Sequence, residues 1–427
     1  MIIKGDIMKE LFKNKDFTLL FSGHFISQIG SVFYNFAVGW FLLSLTESPL
    51  IAGMYIALGG IITILTTSIS GVFIDRMNKV FILYITDFIR GFTILLGGFI
   101  MFTLNHEVYL IALLFSITVI LALNNAFFHP ASTALRPEVV ADENLNQANA
   151  LFSFIASVQM IIGLLLAGLL YSALGIELIF LINGISFIIS GISEIFIKRR
   201  YDKPKQTKLE KKTFREDFIV GIQYIVKRQG LLMVMVSALL LNFAFAPFFA
   251  NILPYLFNLV LEKEPLDLSI VQITASFGML VSGIIIGIVG KNMPIKSTIL
   301  RGLSFTGAGF ITLLILIMAV SSNTINYQQF MILFLPVMFL TMTANVWVNV
   351  PFMTGMLRTI DKEVRGRVFG LMDTISQAMT PLAFLLAGLL LEYGSLYLVS
   401  ILLIIIYLIP FSMMMWGRKP RLLLDSF

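Results

Sequence analysis

The chain has 427 residues, of which 58% are hydrophobic and 13% charged, with a net charge of +6 and no cysteine. A soluble domain carries roughly 25% charged residues, so this composition cannot clothe a water-exposed surface and points to lipid as the main solvent. The lack of cysteine excludes disulfides, thiolate metal sites and cysteine nucleophiles.

A polar, lysine-bearing segment of sixteen residues comes first, and no cleavable signal pattern follows it. Apolar runs of membrane-crossing length then recur at 17–44, 50–71, 80–103, 108–128, 148–172, 177–197, 231–258, 268–290, 296–320, 328–349, 368–391 and 395–416. These are spans 1 to 12. They read as helices because open backbone cannot face lipid, and they lack the short alternating segments of a β-barrel. With the N-terminus inside, 28 of the 30 lysines and arginines fall on the tails and the even-numbered connections. That asymmetry predicts twelve crossings with both termini cytoplasmic. Arg90 lies inside span 3, and Lys263 is the one basic residue left outside.

The densest cluster of basic residues, at 198–230, divides the chain into an N-terminal bundle (1–197), a cytoplasmic linker, and a C-terminal bundle (231–427). Within the linker, Thr213 and Glu216 have capping-box spacing, and Phe214, Phe218, Ile222 and Ile225 follow at helical intervals. The pattern reads as a short amphipathic helix on the inner membrane face; a solvated linker with some helix is the alternative. The halves also echo each other. Asn124 and Asn345, Pro130 and Pro351, Arg136 and Arg358, and the Ala-Gly-Leu-Leu runs at 167 and 387 recur at offsets of 220 to 222. Since both halves begin inside, this predicts a parallel six-helix repeat.

After span 2 the chain reads Gly71, three residues, Asp75, Arg76, Met77, Asn78 and Lys79, which resembles the signature of the major facilitator superfamily. Asn78 stands where that signature usually has glycine, and Asn is the next best residue for a left-handed turn. Phe127 to Val140, Asn146 to Leu151 and Glu363 to Phe369 resemble the macrolide-efflux-like and siderophore-exporter-like branch of drug exporters. The resemblance implies two six-helix bundles working by alternating access, in a monomer of the cell membrane. It also implies a latch in which Asp75 and Arg76 face the start of span 11 and Asp373 receives Arg76. The chain departs from the family where Leu121 replaces an arginine often tied to proton coupling. The span 5 antiporter signature is reduced to Gly163, Leu164 and Gly168, and its second-half Asp-Arg copy to Gly287–Lys291.

Span 1 carries His24, Ser27, Gln28, Ser31, Tyr34 and Asn35 at steps of one, three or four, which predicts a polar face. In lipid such a face either lines a water-filled cavity or bonds neighbouring helices. His24 alone of these titrates near neutral pH. Asn124 in span 4, Asn242 in span 7, and Thr341, Asn345 and Asn349 in span 10 extend the set. Neutral amides among many Phe and Met residues suit an amphipathic ligand. The predicted substrate contacts are therefore His24, Gln28, Ser31, Asn35, Asn124, Asn242, Asn345 and Asn349. Asp87 and Arg90, at i and i+3, make either a structural ion pair or an extension of the Asp75–Arg76 turn. Gly71, Asp75, Arg76, Asp87, Arg90 and Asp373 are the predicted gating residues. Gly283 with Gly287, and Gly163 with Ala167 and Gly168, predict close helix contacts.

No phosphate loop is present, since Gly290-Lys291 runs into Asn292, and His106-Glu107 lacks the second histidine of a zinc helix. An enzyme, a nucleic-acid partner and a cofactor are not expected. The expected activity is export of lipophilic or macrolide-like molecules, with protons as coupling ion. Export of a native metabolite or siderophore-like compound, uncoupled facilitation, and a receptor role are the alternatives.

Overall fold

The computed structural model describes residues 10–104, 106–198, 222–290, 293–361 and 364–427, the side chains of Ser68, Val72, Asp75, Gly366, Arg367, Asp373 and Gln377 apart. Among the described residues the structure is helical and has no strand. The helices are α1 (Lys15–Thr46), α2 (Pro49–Arg76), α3 (Lys79–Thr103), α4 (Glu107–Val139), α5 (Leu145–Ile195), α6 (Gln229–Pro247), α7 (Pro265–Val289), α8 (Ile295–Ser321), α9 (Tyr327–Thr359), α10 (Arg365–Tyr393), α11 (Leu396–Trp416) and α12 (Arg418–Asp425). Eleven helical stretches among the described residues are long and apolar enough to cross a membrane.

Spans 5 and 6 are one continuous element broken at Gly175, whose φ of 77° and ψ of 179° suit glycine and almost no other residue. Spans 4 and 10 outrun their expected ends. Pro130 and Pro351, expected just beyond them, lie inside α4 and α9. Packed neighbours tolerate the lost hydrogen bond where lipid would not. α4 and α9 each have 33 residues and start 220 residues apart, the interval of the sequence repeat.

Local caps set several helix starts. Asn14 accepts from the Asp16 and Phe17 amides and donates to the Val139 carbonyl at 2.6 Å, tying the start of α1 to the end of α4. Asn326 and Gln329 form a reciprocal capping box on α9. Asn78 is a correction: with φ at −69° it is extended rather than left-handed, and its side chain caps α3 through the Val80 amide.

The described residues form two compact units. The first takes those within Met1–Glu47, Met54–Thr207 and Glu262–Ile270; the second takes those within Ser48–Gly53, Lys208–Leu261 and Val271–Phe427. In the first unit α5 packs against α1 and α3. Glycines allow the second contact: a Cβ on Gly91 would sit 3.0 Å from the Gly184 carbonyl oxygen, and one on Gly98 2.8 Å from the Phe180 Cβ. The opposite face of α3 presents Phe92, Leu96, Phe99 and Phe102, all at least 60% exposed. A stripe of that size is stable only against an apolar solvent.

In the second unit, α8 lies against α9 and α11 against α6. Beyond Pro247, α6 loosens into π turns at Phe248–Ile252 and Leu256–Val260, on either side of Leu253–Tyr255. Pro247 and Pro254 withhold two backbone donors there, which favours the wider register. The terminal α12 packs onto α6, and its Asp425 pairs with Lys296.

Two expectations change. Gly283 and Gly287 face open space, while Gly278 on α7 is in close contact: a Cβ there would lie 2.6 Å from the Phe339 carbonyl oxygen. The Thr213–Glu216 turn lies outside the described residues. Residues 222–227 are helical, and Ile225 packs into the protein beside Met356, Ile360 and Leu371.

Candidate functional site

The second unit holds a cavity of about 230 Å³. Phe245, Phe249, Phe352, Tyr407, Met342 and Met414 make much of its wall, and among the described residues no charged side chain lines it. The apolar wall is itself a packed network: Phe310 stands 4.5 Å from Phe245 and 5.8 Å from Tyr407, ring centre to ring centre. Gly307 admits the Tyr407 ring at 2.6 Å from where a Cβ would lie, and the Tyr407 hydroxyl donates to the Leu303 carbonyl at 2.8 Å. The wall is therefore held by groups with little freedom of their own.

The polar groups are few and neutral. Asn242, Asn345 and Asn349, three of the predicted substrate contacts, meet at this cavity. The Asn349 Nδ2 donates to the Asn345 Oδ1 at 2.8 Å and to its backbone oxygen at 3.1 Å. That fixes the pair and leaves the far ends of the two amides, the Asn345 NH2 group as donor and the Asn349 Oδ1 as acceptor, for a ligand. Asn242 also borders an adjoining opening with Ser376 and Thr380. Thr306 lines the main cavity with a buried hydroxyl that has no partner among the described residues. It was not among the predicted contacts, nor was Ser237, because a single hydroxyl in an apolar run leaves no periodic mark. Thr341 is buried and donates to the Val337 carbonyl of its own helix instead.

In the first unit the predicted polar face of α1 divides. Ser27 and Tyr34 are buried in packing. His24 stacks parallel to Phe128 at 6.0 Å and meets the edge of Phe152 at 5.4 Å. Both rings also carry a guanidinium, Arg90 over Phe128 and Arg136 over Phe152. Ser31 donates to the Ser27 carbonyl, and Asn124 to the Ile120 carbonyl, so both satisfy their own helices. Gln28 is half-buried and Asn35 exposed.

The predicted gating residues are placed as follows. Gly71 is exposed, with open space where a side chain would go. Arg76 ends α2 and is exposed. The side chains of Asp75 and Asp373 lie outside the described residues. Asp87 and Arg90 do pair, deep in the unit. Arg90 also donates to the Asn125 Oδ1 at 3.0 Å, so Asn125 rather than Asn124 serves it. Lys79, which had counted as a loop charge, is buried and bonds Glu138 at 2.6 Å.

These helices describe a polytopic membrane protein with a cavity in its second unit. The chain belongs to the Major Facilitator Superfamily, whose family model matches residues 20–384. Macrolide efflux protein A of Streptococcus pyogenes is 24% identical over 383 residues, 87% of this chain and 88% of its own. An uncharacterized MFS-type transporter of Bacillus subtilis, YkuC, is 28% identical over 295 residues, covering 66% and 67%. The putative bacilysin exporter BacE of Bacillus amyloliquefaciens is 30% identical over 155 residues, covering 36% and 37%. Among solved structures, a bacterial homologue of the iron transporter ferroportin in its inward-facing state matches with a TM-score of 0.72 at 19% identity, over 94% of this chain and 98% of that one. This likeness shows the fold.

Proposed function

We propose that this protein is a secondary exporter of lipophilic or amphipathic small molecules, of the macrolide-like kind, driven by proton antiport. The observation that carries the reading is the uncharged cavity of the second unit, where aromatic and methionine surface is punctuated by Asn242, Asn345 and Asn349. Such a wall takes up apolar ligand area without demanding a charge, while the amides orient it. Gln28 and Asn35 of α1 are further ligand contacts in this reading. The relatives named for macrolide efflux and bacilysin export favour a bulky organic substrate.

The carrier crosses the cell membrane twelve times as two six-span halves, 1–197 and 231–427, joined by 198–230, with both termini cytoplasmic. The element Leu145–Ile195 contributes two crossings, because its 51 residues would reach about 77 Å at 1.5 Å each, well beyond a bilayer core of about 30 Å. It works as a monomer by alternating access. An inner latch of Asp75, Arg76 and Asp373 belongs to this proposal on the strength of the sequence resemblance alone. Asp75→Asn is expected to change the inward-to-outward population measured by spin-label distances; an unchanged population and unchanged transport would remove the latch.

The deciding experiment expresses the protein in efflux-deficient cells and follows accumulation of erythromycin, ethidium and a wider compound panel, with and without a protonophore. Lower accumulation that the protonophore reverses is expected. Unaltered accumulation of every compound would overturn the exporter, and efflux indifferent to the protonophore would overturn proton antiport.

A further inference from the structure

One buried carboxylate of the first unit lies on α5 where that helix packs against α3. Gly191 brings α5 hard against α3: a Cβ there would lie 3.3 Å from the Tyr84 carbonyl oxygen and 3.4 Å from the Asp87 Cβ. One turn further along α5, Glu194 is fully buried. Neither of its carboxylate oxygens has a hydrogen-bond partner among the described residues. The charges it senses are Asp87 and Arg90.

Arg90 is already committed. Its three nitrogens donate to Asp87, to the Asn125 Oδ1 and to the Thr86 carbonyl. Its planar group is flanked by Phe128 at 4.1 Å and Phe187 at 4.5 Å. Two carboxylates thus face one guanidinium, and Asp87 is the one that holds it. An ionised carboxylate without a partner in so dry a place is strongly disfavoured. The same group as a neutral acid leaves the cluster balanced.

We propose that Glu194 is a proton-binding site of this carrier, with Asp87–Arg90 as the fixed pair that sets when the proton leaves. This rests on the proton-antiport reading above. Taking up the proton forms an O–H bond on the Glu194 carboxylate, and opening of the unit to water on the other side breaks it; no other group changes. The remaining titratable groups around the cluster are His24 on α1 and His129 and Arg136 on α4, all of which feel one another or Arg90. None supplies Glu194 with a counter-charge, and Ser190, one turn before it, adjoins Asp87 instead.

The test needs no substrate. Infrared difference spectra of the purified carrier in detergent, over roughly pH 5 to roughly pH 9, are expected to contain a protonated-carboxyl band that disappears as pH rises. Glu194→Gln keeps the shape and cannot exchange a proton, so this band is expected to be lost while the protein folds and melts at or above the wild-type temperature. Asp87→Asn is expected to keep the band with a shifted midpoint. A band that titrates unchanged in Glu194→Gln, or no titrating carboxyl band in the wild type, overturns the site. Erythromycin efflux that ignores a protonophore, in a protein whose Glu194 band does titrate, overturns the coupling and leaves the proton site standing.

Discussion

Every buried charged side chain among the described residues lies in the first unit: Asp16, Lys79, Asp87, Arg90, Glu138 and Glu194. The buried polar side chains of the second, such as Ser237, Asn251, Thr306 and Thr341, are neutral, and the amides at its cavity carry no charge either. The consequence is mechanical as well as electrostatic. An ion pair in a dry interior admits one geometry, because separating the charges there is expensive. An amide beside a cavity can turn between partners at little cost. The first unit is therefore built to register charge, and the second to accommodate shape.

Breaking a buried pair should give the largest effect. Removing one side of Lys79–Glu138 breaks an ion pair whose two side chains are each 3% exposed. Lys79→Ala is expected to cost about 3–5 kcal/mol, read as a large fall in melting temperature in detergent. The paired change Lys79→Met with Glu138→Leu is expected to recover most of it. A single substitution that melts like the wild type would show that water reaches the pair.

The glycines test the same contrast through packing. Gly184→Val puts side-chain atoms into Leu95, whose Cγ already lies 2.6 Å from an added Cβ. It is expected to cost about 1–3 kcal/mol. Gly287→Val on α7 meets nothing, and a stability within about 0.5 kcal/mol of wild type is expected. Equal losses at both positions would mean that these helix contacts are not the ones that hold the protein.

At the cavity the expectation reverses, with function falling and stability holding. Asn345→Ala removes one end of the amide pair at the wall. Losing a hydrogen bond worth about 1 kcal/mol corresponds to roughly fivefold weaker ligand binding, measured by fluorescence titration with ethidium or by erythromycin efflux. Melting is expected to stay near wild type. A variant that unfolds before it loses affinity would make Asn345 a packing residue.

Much of the helical frame was legible, because lipid forces apolar length and continuous helix, and both are written in composition. Span 1 was expected at 17–44 and α1 runs Lys15–Thr46; span 9 was expected at 296–320 and α8 runs Ile295–Ser321. At α4 and α9 the apolar runs stop short of Pro130 and Pro351, whereas the helices continue through both, since packed neighbours can accommodate a proline that lipid would not. Asn345 and Asn349 were found by their step of four, which keeps one face of a helix. Thr306 and Ser237 were not, as a hydroxyl alone has no period. Glu194 had a readable signal: an acid within an apolar span is a functional candidate by default. Asp87 and Arg90 drew attention because they come as an i, i+3 pair, and Glu194 has no opposite charge within a turn of it in its own helix. Only the packing of α5 on α3 joins them.

The smallest effect is expected where charge is exposed rather than buried. Arg228 bonds Asp361 at 3.0 Å in the second unit, with side-chain exposures of 45% and 60%. Tyr224 donates to the same carboxylate at 3.0 Å and lies under the guanidinium. Partial burial pushes the Tyr224 phenol above its usual value, so at neutral pH it remains a donor. The three residues tie helical residues 222–227 to the end of α9 in water rather than in a dry interior. Salt screens such a pair, and Arg228→Ala is expected to cost less than about 1 kcal/mol. The difference between Arg228→Ala and wild type should shrink as salt is raised, whereas the loss from Lys79→Ala should not. A salt-insensitive loss of several kcal/mol at Arg228 would erase the contrast between the units, because it would place a buried-type charge in the unit whose described residues otherwise have none.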